Sequence, residues 1–231
     1  MAPAPSRAPH LIRTARSPAT APPPTGPAAP PITVTADHGT HPVLADLDWP
    51  LRTERLELRP GRAEDADAIW PWYGLPEVQL WTTALSRSLE EHRERWSAKL
   101  PSSVVGLLGI RIIAVGKVDR QDAWSQADMA EQARGQQAEL GWVLDPASHG
   151  RGYGTEFAAG LVQIAFEGLG VRRVEGNCFA ENLASRRIME KIGMRLEGHF
   201  REESLHRSGR WLDGMSFALL ASEYRSPGPS T

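Results

Sequence analysis

Residues Leu140 to Glu156, LGWVLDPASHGRGYGTE, pass from an apolar strand pattern through a glycine-rich turn into a helix pattern. A strand that delivers the chain to a helix so abruptly commits this region to an α/β arrangement. It also limits what the turn can do. Gly152 and Gly154 carry no side chain, so a ligand can approach the main chain closely, and positive φ is open where N–H groups must converge. The helix N-terminus contributes a partial positive charge worth about 0.3 to 1 kcal/mol per anionic group, which suits a pyrophosphate. Arg151 can add a charge-assisted contact. The spacing is neither GxxxxGK[ST] nor GxGxxG, so the turn is neither a triphosphate loop nor a dinucleotide fingerprint. A tight strand-to-helix turn that binds nothing stays open at this point.

Composition removes several other classes. The chain has 231 residues, with 26 Lys and Arg against 28 Asp and Glu for a net charge of −2, which gives no global case for nucleic acid or an anionic membrane. No apolar run approaches the roughly 18 residues that a membrane span needs. The single cysteine, Cys178, precludes an internal disulfide framework, fits a reducing, cytoplasmic setting and reads as a structural residue. His38 and His41 have no third ligand nearby, so no metal site is expected. Residues 1–48 are rich in Pro and Ala early on, lack acidic residues before Asp37, and read as a disordered tail. A folded domain is expected over 49–225, with a flexible tail over 226–231.

Within that domain, Arg55 to Arg59 alternates as a strand, and Ala66, Ile69 and Tyr73 mark a helix over Glu64 to Tyr73. Leu89, Arg93, Trp96 and Leu100 mark a second helix, capped by Ser86 or Ser88. Val104 to Val115 reads as one or two strands, and Asp122 to Arg134 as a short inserted helix. Then come a strand over Glu139 to Leu144, a helix over Gly152 to Leu169, a strand over Arg173 to Phe179, and a helix over Asn182 to Ile192 closed by Gly193. Arg195 to Phe200 and Trp211 to Leu220 are the last strands. This order indicates an α/β fold on a mixed sheet.

With these elements placed, His149-Gly150-Arg151-Gly152-Tyr153-Gly154 resembles the [RQ]xxGx[GA] signature of the GCN5-related N-acetyltransferase (GNAT) superfamily. LRTERLELRPGRAEDADAI, AELGWVLDP with HGRGYGTE, NLASRRIMEKIGM and GRWLDGMSFALLASEY are similar, in order, to segments of its Rim-type branch, the ribosomal-protein-alanine acetyltransferases. The resemblance implies a GNAT fold: a mixed, mostly antiparallel sheet with two splayed central parallel strands and helices on both faces. It implies acetyl-CoA as donor and an amine as acceptor, most simply a protein N-terminal α-amine, with a homodimer allowed. A small-amine acetyltransferase and a non-catalytic acyl-CoA-binding module are the alternatives.

The resemblance also assigns residues. Val143 and Leu144 would offer main-chain groups to the pantetheine arm, an N–H near Val143 would stabilise the oxyanion, and residues 150 to 155, from Gly150 to Thr155, would hold the pyrophosphate. A lysine-like amine has a pKa near about 10.4 and an α-amine near about 7.7 to 8.0, so a base is required. Glu139 is the candidate, with an ion-pairing role as its alternative. The chain also departs from the superfamily's pattern: the usual tyrosine acid, seven residues after Asn182, is replaced by Met189. The resemblance to Rim-type relatives implies that Ser185 faces the sulfur in its stead, with pantetheine contact as the alternative role. His149 replaces Arg or Gln and would donate to a cofactor phosphate or a loop carbonyl, and Asn182 would bond the pantetheine or cap its own helix. The acceptor side falls to Pro71–Ser86 and Glu203–Asp213, where Trp72, Tyr73 and Trp81 would clasp the amine or form core, and Asp213 with Glu202 or Glu203 would attract a cation.

Overall fold

The computed structural model describes residues 41–226. Eight strands form one sheet: β1 (Leu51–Arg52), β2 (Glu57–Pro60), β3 (Ser103–Leu108), β4 (Arg111–Gln121), β5 (Gln137–Leu144), β6 (Arg173–Phe179), β7 (Arg195–Leu205) and β8 (Trp211–Leu220). Their spatial order is β1-β2-β3-β4-β5-β6-β8-β7. Every neighbouring pair is antiparallel except β5 and β6.

Helices cover both faces. On one lie α1 (Asp65–Tyr73), the single turn α2 (Pro76–Gln79) and α3 (Leu89–Lys99); on the other, α5 (Tyr153–Gln163) and α6 (Leu183–Lys191), while α4 (Ala130–Ala133) sits in the β4–β5 connection. Phe157, Leu161 and Ile164 of the α5 region fill the larger core with Leu58, Ile113 and Phe217. Ile69, Trp72 and Trp96 fill the smaller one against Val105 and Val115. The fold is therefore the expected α/β arrangement.

The sheet parts between its two central strands. The parallel ladder between β5 and β6 contains only Gln137↔Arg173, Ala138↔Val174 and Glu139↔Glu175. Both strands continue beyond it, but β5 is held by β4 out to Leu144 opposite Ala114, and β6 by β8 out to Phe179 opposite Gly214. Each strand follows its outer neighbour, so the twisted sheet opens between them like a V with Glu139 and Glu175 at its apex.

Several boundaries move. The domain starts earlier than residue 49: Leu44 and Leu47 are buried in the larger core, and Gly168 lacks a Cβ because one would meet Leu47 Cδ1 at 2.6 Å. The expected tail over 1–48 is thus ordered from at least Leu44, and residues 1–40 lie outside the described ones. At the other end Ser226 donates to Glu167 at 2.6 Å, and 227–231 lie outside. The long helix is α-helical to Gln163 and then widens to a π turn over Ile164–Gly168. The 122–134 insertion contains a 3-10 turn (Ala127–Met129) and α4 in place of one helix. Ser88, not Ser86, caps α3 by accepting from Glu91 N–H at 3.2 Å. The β7 strand runs five residues past its expected end at Phe200.

Candidate active site

A cleft of about 840 Å³ passes through the opening between β5 and β6. Its two halves lie on opposite faces of the sheet.

The half beside α5 and α6 is built from main chain. After β5 the chain turns at Asp145, whose carboxylate accepts from Ala147 N–H at 2.9 Å and pairs with Arg111 at 3.5 Å. Gly150 and Gly152 have φ of 74° and 83°, the left-handed region that glycine enters without a Cβ clash. Gly152 is the N-cap of α5, and the first internal bond of the helix runs from Glu156 N–H to the Gly152 carbonyl at 3.1 Å. The N–H groups of Tyr153, Gly154 and Thr155 therefore lack intrahelical partners. At Gly154 φ is not positive, and a Cβ there would meet Ile188 at 3.0 Å and Leu144 at 3.2 Å.

A clamp that the sequence did not disclose holds this turn. Arg55 Nε donates to Glu156 at 2.7 Å, Arg55 Nη1 donates to the Arg151 carbonyl at 2.8 Å, and its guanidinium lies 4.7 Å from the Tyr153 ring centroid. Glu156 also accepts from Thr53 Oγ1 at 2.5 Å and from the N–H groups of Arg55 and Leu56 at 2.7 and 3.2 Å. The Tyr153 ring is held under the Arg55 guanidinium and the Arg151 carbonyl is taken by the clamp. Neither residue lines the cleft, whereas His149 and Thr155 do.

The opening itself supplies further main-chain groups. The Gln136 carbonyl accepts from Arg172 N–H on the β6 side, and Asp145 N–H donates to Ile113 on the β4 side, each at 2.9 Å. Since successive residues of a strand alternate sides, Leu140, Trp142 and Leu144 turn their N–H and C=O groups toward β6. None of the three has a β6 ladder partner beyond the apex. This corrects the expectation for Val143: its main chain faces β4, opposite Val115, while its side chain packs in the smaller core. Leu144 and Trp142 are the residues near the end of β5 whose main chain faces the opening.

Along the opposite wall, Asn182 caps α6, its Oδ1 accepting from Ser185 N–H at 3.2 Å. Ser185 and Met189 both line the cleft, Ser185 half-buried and Met189 1% exposed, with the Met189 sulfur 3.1 Å from where a Cβ on Gly176 would sit. Arg187 and Lys191, one turn apart on α6, add positive charge to the same wall. Cys178 also lines the cleft, and burial pushes its thiol up to about 11.

The half beside α1 and α3 is built from side chains. Glu139 points into it from the apex of the V, with Lys117 Nζ 2.6 Å from its carboxylate. The loop after α2 forms a roof. His206 Nε2 lies 3.0 Å from the Leu80 carbonyl, Arg207 donates to the carbonyls of Leu80 and Thr82, and Gln79 bonds Ser86 in both directions at 2.9 and 3.1 Å. Trp81 packs against both Phe179 and His206, with ring centroids 6.0 and 5.3 Å away, and these two rings meet each other edge-on at 5.2 Å. Tyr73 and Trp81 thus line the cleft, whereas Trp72 belongs to the core. Asp213 is corrected as a free acid for a cationic acceptor. It accepts from Glu202 N–H at 2.8 Å and bonds His199 at 2.7 Å, which together hold its carboxyl below the usual range, and it fixes Glu202 at a φ of 46°. Neither Glu202 nor Glu203 lines the cleft.

Among the described residues, no group of His, Cys, Asp and Glu side chains is arranged to hold a metal, and no helix is long and apolar enough to cross a membrane.

Known proteins share this arrangement. The chain is 28% identical to "Uncharacterized N-acetyltransferase p20" from Bacillus licheniformis over 75% of its own length and 97% of that protein. It is 35% identical to "Uncharacterized N-acetyltransferase YnaD" from Bacillus subtilis over 37% of its length, a match spanning 50% of that relative. In fold it is similar to a GNAT-family acetyltransferase from Bacillus anthracis, with a TM-score of 0.64, 24% identity, and coverage of 76% of this chain and all of that one. It is also similar in fold to the ribosomal-protein-S5-alanine acetyltransferase from Vibrio fischeri, with a TM-score of 0.63, 14% identity, and coverage of 77% and 100%. Residues 55–195, more than half of the chain, match the acetyltransferase (GNAT) domain, whose members draw acetyl groups from acetyl-CoA. With the splayed strands and the glycine turn already in place, that match settles the assignment: the chain belongs to the GNAT family of acetyltransferases.

Proposed function

We propose that this chain transfers an acetyl group from acetyl-CoA to a primary amine, and that the amine is the N-terminal α-amine of a protein, as in the Rim-type branch. The observation that carries this reading is the coincidence, at one opening in the sheet, of unpartnered main-chain groups on one face and an acid on the other.

The residues present fit acetyl-CoA. The orphaned N–H groups of Tyr153, Gly154 and Thr155, with Gly150 and Gly152 at positive φ, suit a pyrophosphate, and Arg187 and Lys191 suit further phosphate charge. Trp142 and Leu144 would bond the pantetheine arm as an added strand does. Bound acetyl-CoA supplies the activated thioester. The chain would orient it, with an N–H from Trp142 or Leu144 at the opening available to the carbonyl oxygen as it gains charge. Glu139 faces the acceptor half and would take the proton that the amine sheds; the Lys117 contact fixes the carboxylate at the apex. Ser185 is the polar side chain of the α6 wall closest in role to the missing tyrosine; a free thiol has a pKa near about 8.5, so the departing sulfur needs little help.

The Rim-type assignment is supported by the ordered segments and by the fold shared with the S5-alanine enzyme. The roof over the acceptor half favours a second reading, a small amine, because it narrows access. The test is release of free coenzyme A from acetyl-CoA with purified full chain and separate pools of N-terminal peptides, polyamines and aminoglycosides. Release with the peptide pool alone is expected. Release with a small-amine pool overturns the N-terminal assignment, and acetyl-CoA binding without release from any pool overturns transfer in favour of a binding module.

A further inference from the structure

The acceptor half of the cleft is lined by more positive than negative charge, and among the described residues the surplus has no partner. Arg95 and Lys99 stand one helical turn apart on α3, and Lys117 projects from β4; all three line the cleft. Lys117 is engaged by Glu139 at 2.6 Å. Among the described residues, neither Arg95 nor Lys99 gives its side-chain charge to a carboxylate or carbonyl, and Glu77 is the remaining acid on these walls.

The surroundings sharpen this imbalance. Arg95 and Lys99 are both solvent-exposed along α3, yet the protein packed beside Lys99 and, after it, the charges of Lys117 and Arg95 hold its ammonium below the ordinary lysine range. Arg95 also acts on the neighbouring Tyr73 hydroxyl, which burial drives upward and the guanidinium draws back. His92 Nε2 is buried without a hydrogen-bond partner between these groups and the Trp70, Tyr73 and Trp96 rings. Like charges crowded beside aromatic walls repel one another, and an anion placed among them relieves that repulsion and selects its bearer.

We propose that the acceptor is an amine carrying an anionic group, a carboxylate or a phosphate, near the reacting nitrogen, and that Arg95 and Lys99 receive that anion. This rests on the acetyl-transfer reading, in which Glu139 faces the amine. The two ends of such an acceptor then meet opposite charges within one half of the cleft. In an N-terminal acceptor the anion is an acidic side chain in the first few residues; in a small amine it is the molecule's own carboxylate or phosphate.

The test compares peptides that share an N-terminal alanine followed by Glu-Glu, Gln-Gln or Lys-Lys, and compares phosphoethanolamine with ethanolamine. Binding to the full chain, with and without coenzyme A, is read from tryptophan fluorescence, and kcat/KM from acetyl transfer, at low and high salt. The anionic member of one series is expected to be preferred about tenfold or more at low salt, less at high salt. The Arg95→Gln/Lys99→Gln double variant should reduce that preference to within about twofold while its acetyl-CoA affinity, set on the other face, stays unchanged. The series that shows the effect identifies the source of the anion. Equal use of all members, a preference for Lys-Lys, no binding of any anionic member, or a preference that survives in the double variant overturns the proposal. Transfer without charge preference removes the anion site and leaves the acetyl-transfer reading intact; anion-dependent binding without transfer does the reverse.

Discussion

The two halves of the cleft are made differently. On the α5 face the chain offers N–H and C=O groups held by a clamp of Arg55 and Glu156, and the glycines matter for what they lack. On the α3 face it offers charged and aromatic side chains from α1, α2 and the loop after it, α3, β4 and β5, under a roof pinned by His206 and Arg207. A site made of main chain tolerates sequence change so long as the backbone path survives, which suits a ligand common to a whole family. A site made of side chains can be rewritten residue by residue, which suits an acceptor that differs between members.

Substitutions should separate the halves. Glu139→Gln should lower turnover about 10²- to 10⁴-fold and leave acetyl-CoA affinity nearly unchanged, as steady-state kinetics and a binding titration would register together. An equal loss in both would mean that Glu139 holds the sheet opening and not the proton. Glu156→Ala, on the other face, removes several hydrogen bonds to a mostly buried carboxylate and should cost about 2 to 3 kcal/mol of stability. That loss is read as a lowered Tm with weakened acetyl-CoA binding; unchanged affinity would show that the turn keeps its path without the clamp. Gly152→Ala places a Cβ at a φ of 83°, which should cost about 1 to 2 kcal/mol in a melting experiment and should weaken acetyl-CoA binding. The smallest effect concerns Cys178. With its thiol pushed up to about 11, alkylation by iodoacetamide at neutral pH should run about a hundredfold slower than for a free cysteine. The rate should climb as pH rises toward 11, because the thiolate is the reactive form, and acetyl-CoA should slow it further.

What was legible in the sequence follows the same division. The strand, turn and helix of residues 140 to 156 could be read because glycine spacing and apolar periodicity are local signals, and Arg173–Phe179 and Trp211–Leu220 were found at their observed limits. The direction of main-chain groups was harder. Val143 was expected to serve the ligand, but parity along β5 gives that role to Trp142 and Leu144, and parity is fixed by pairing with β4, a tertiary fact. The Arg55–Glu156 clamp joins residues 101 positions apart, so no local pattern announces it. Gly154 reads as a phosphate-loop glycine from its spacing, and only the packing of Leu144 and Ile188 against it shows that a Cβ is excluded there as well. On the acceptor face, Lys117, Arg95 and Lys99 carried no motif; their meaning appears only when α3 and β4 are laid against the same opening. Leu44 and Leu47 were hidden by the Pro- and Ala-rich stretch before them, although both are apolar residues ready to pack on the larger core.

The central claim is that main chain on one face holds the donor and side chains on the other handle the acceptor. A calorimetric titration of acetyl-CoA into the wild-type chain, Gly152→Ala and Glu139→Gln tests it most directly. The account predicts that Glu139→Gln binds as wild type does and that Gly152→Ala binds about tenfold more weakly or worse. Wild-type affinity in Gly152→Ala together with lost binding in Glu139→Gln would contradict it.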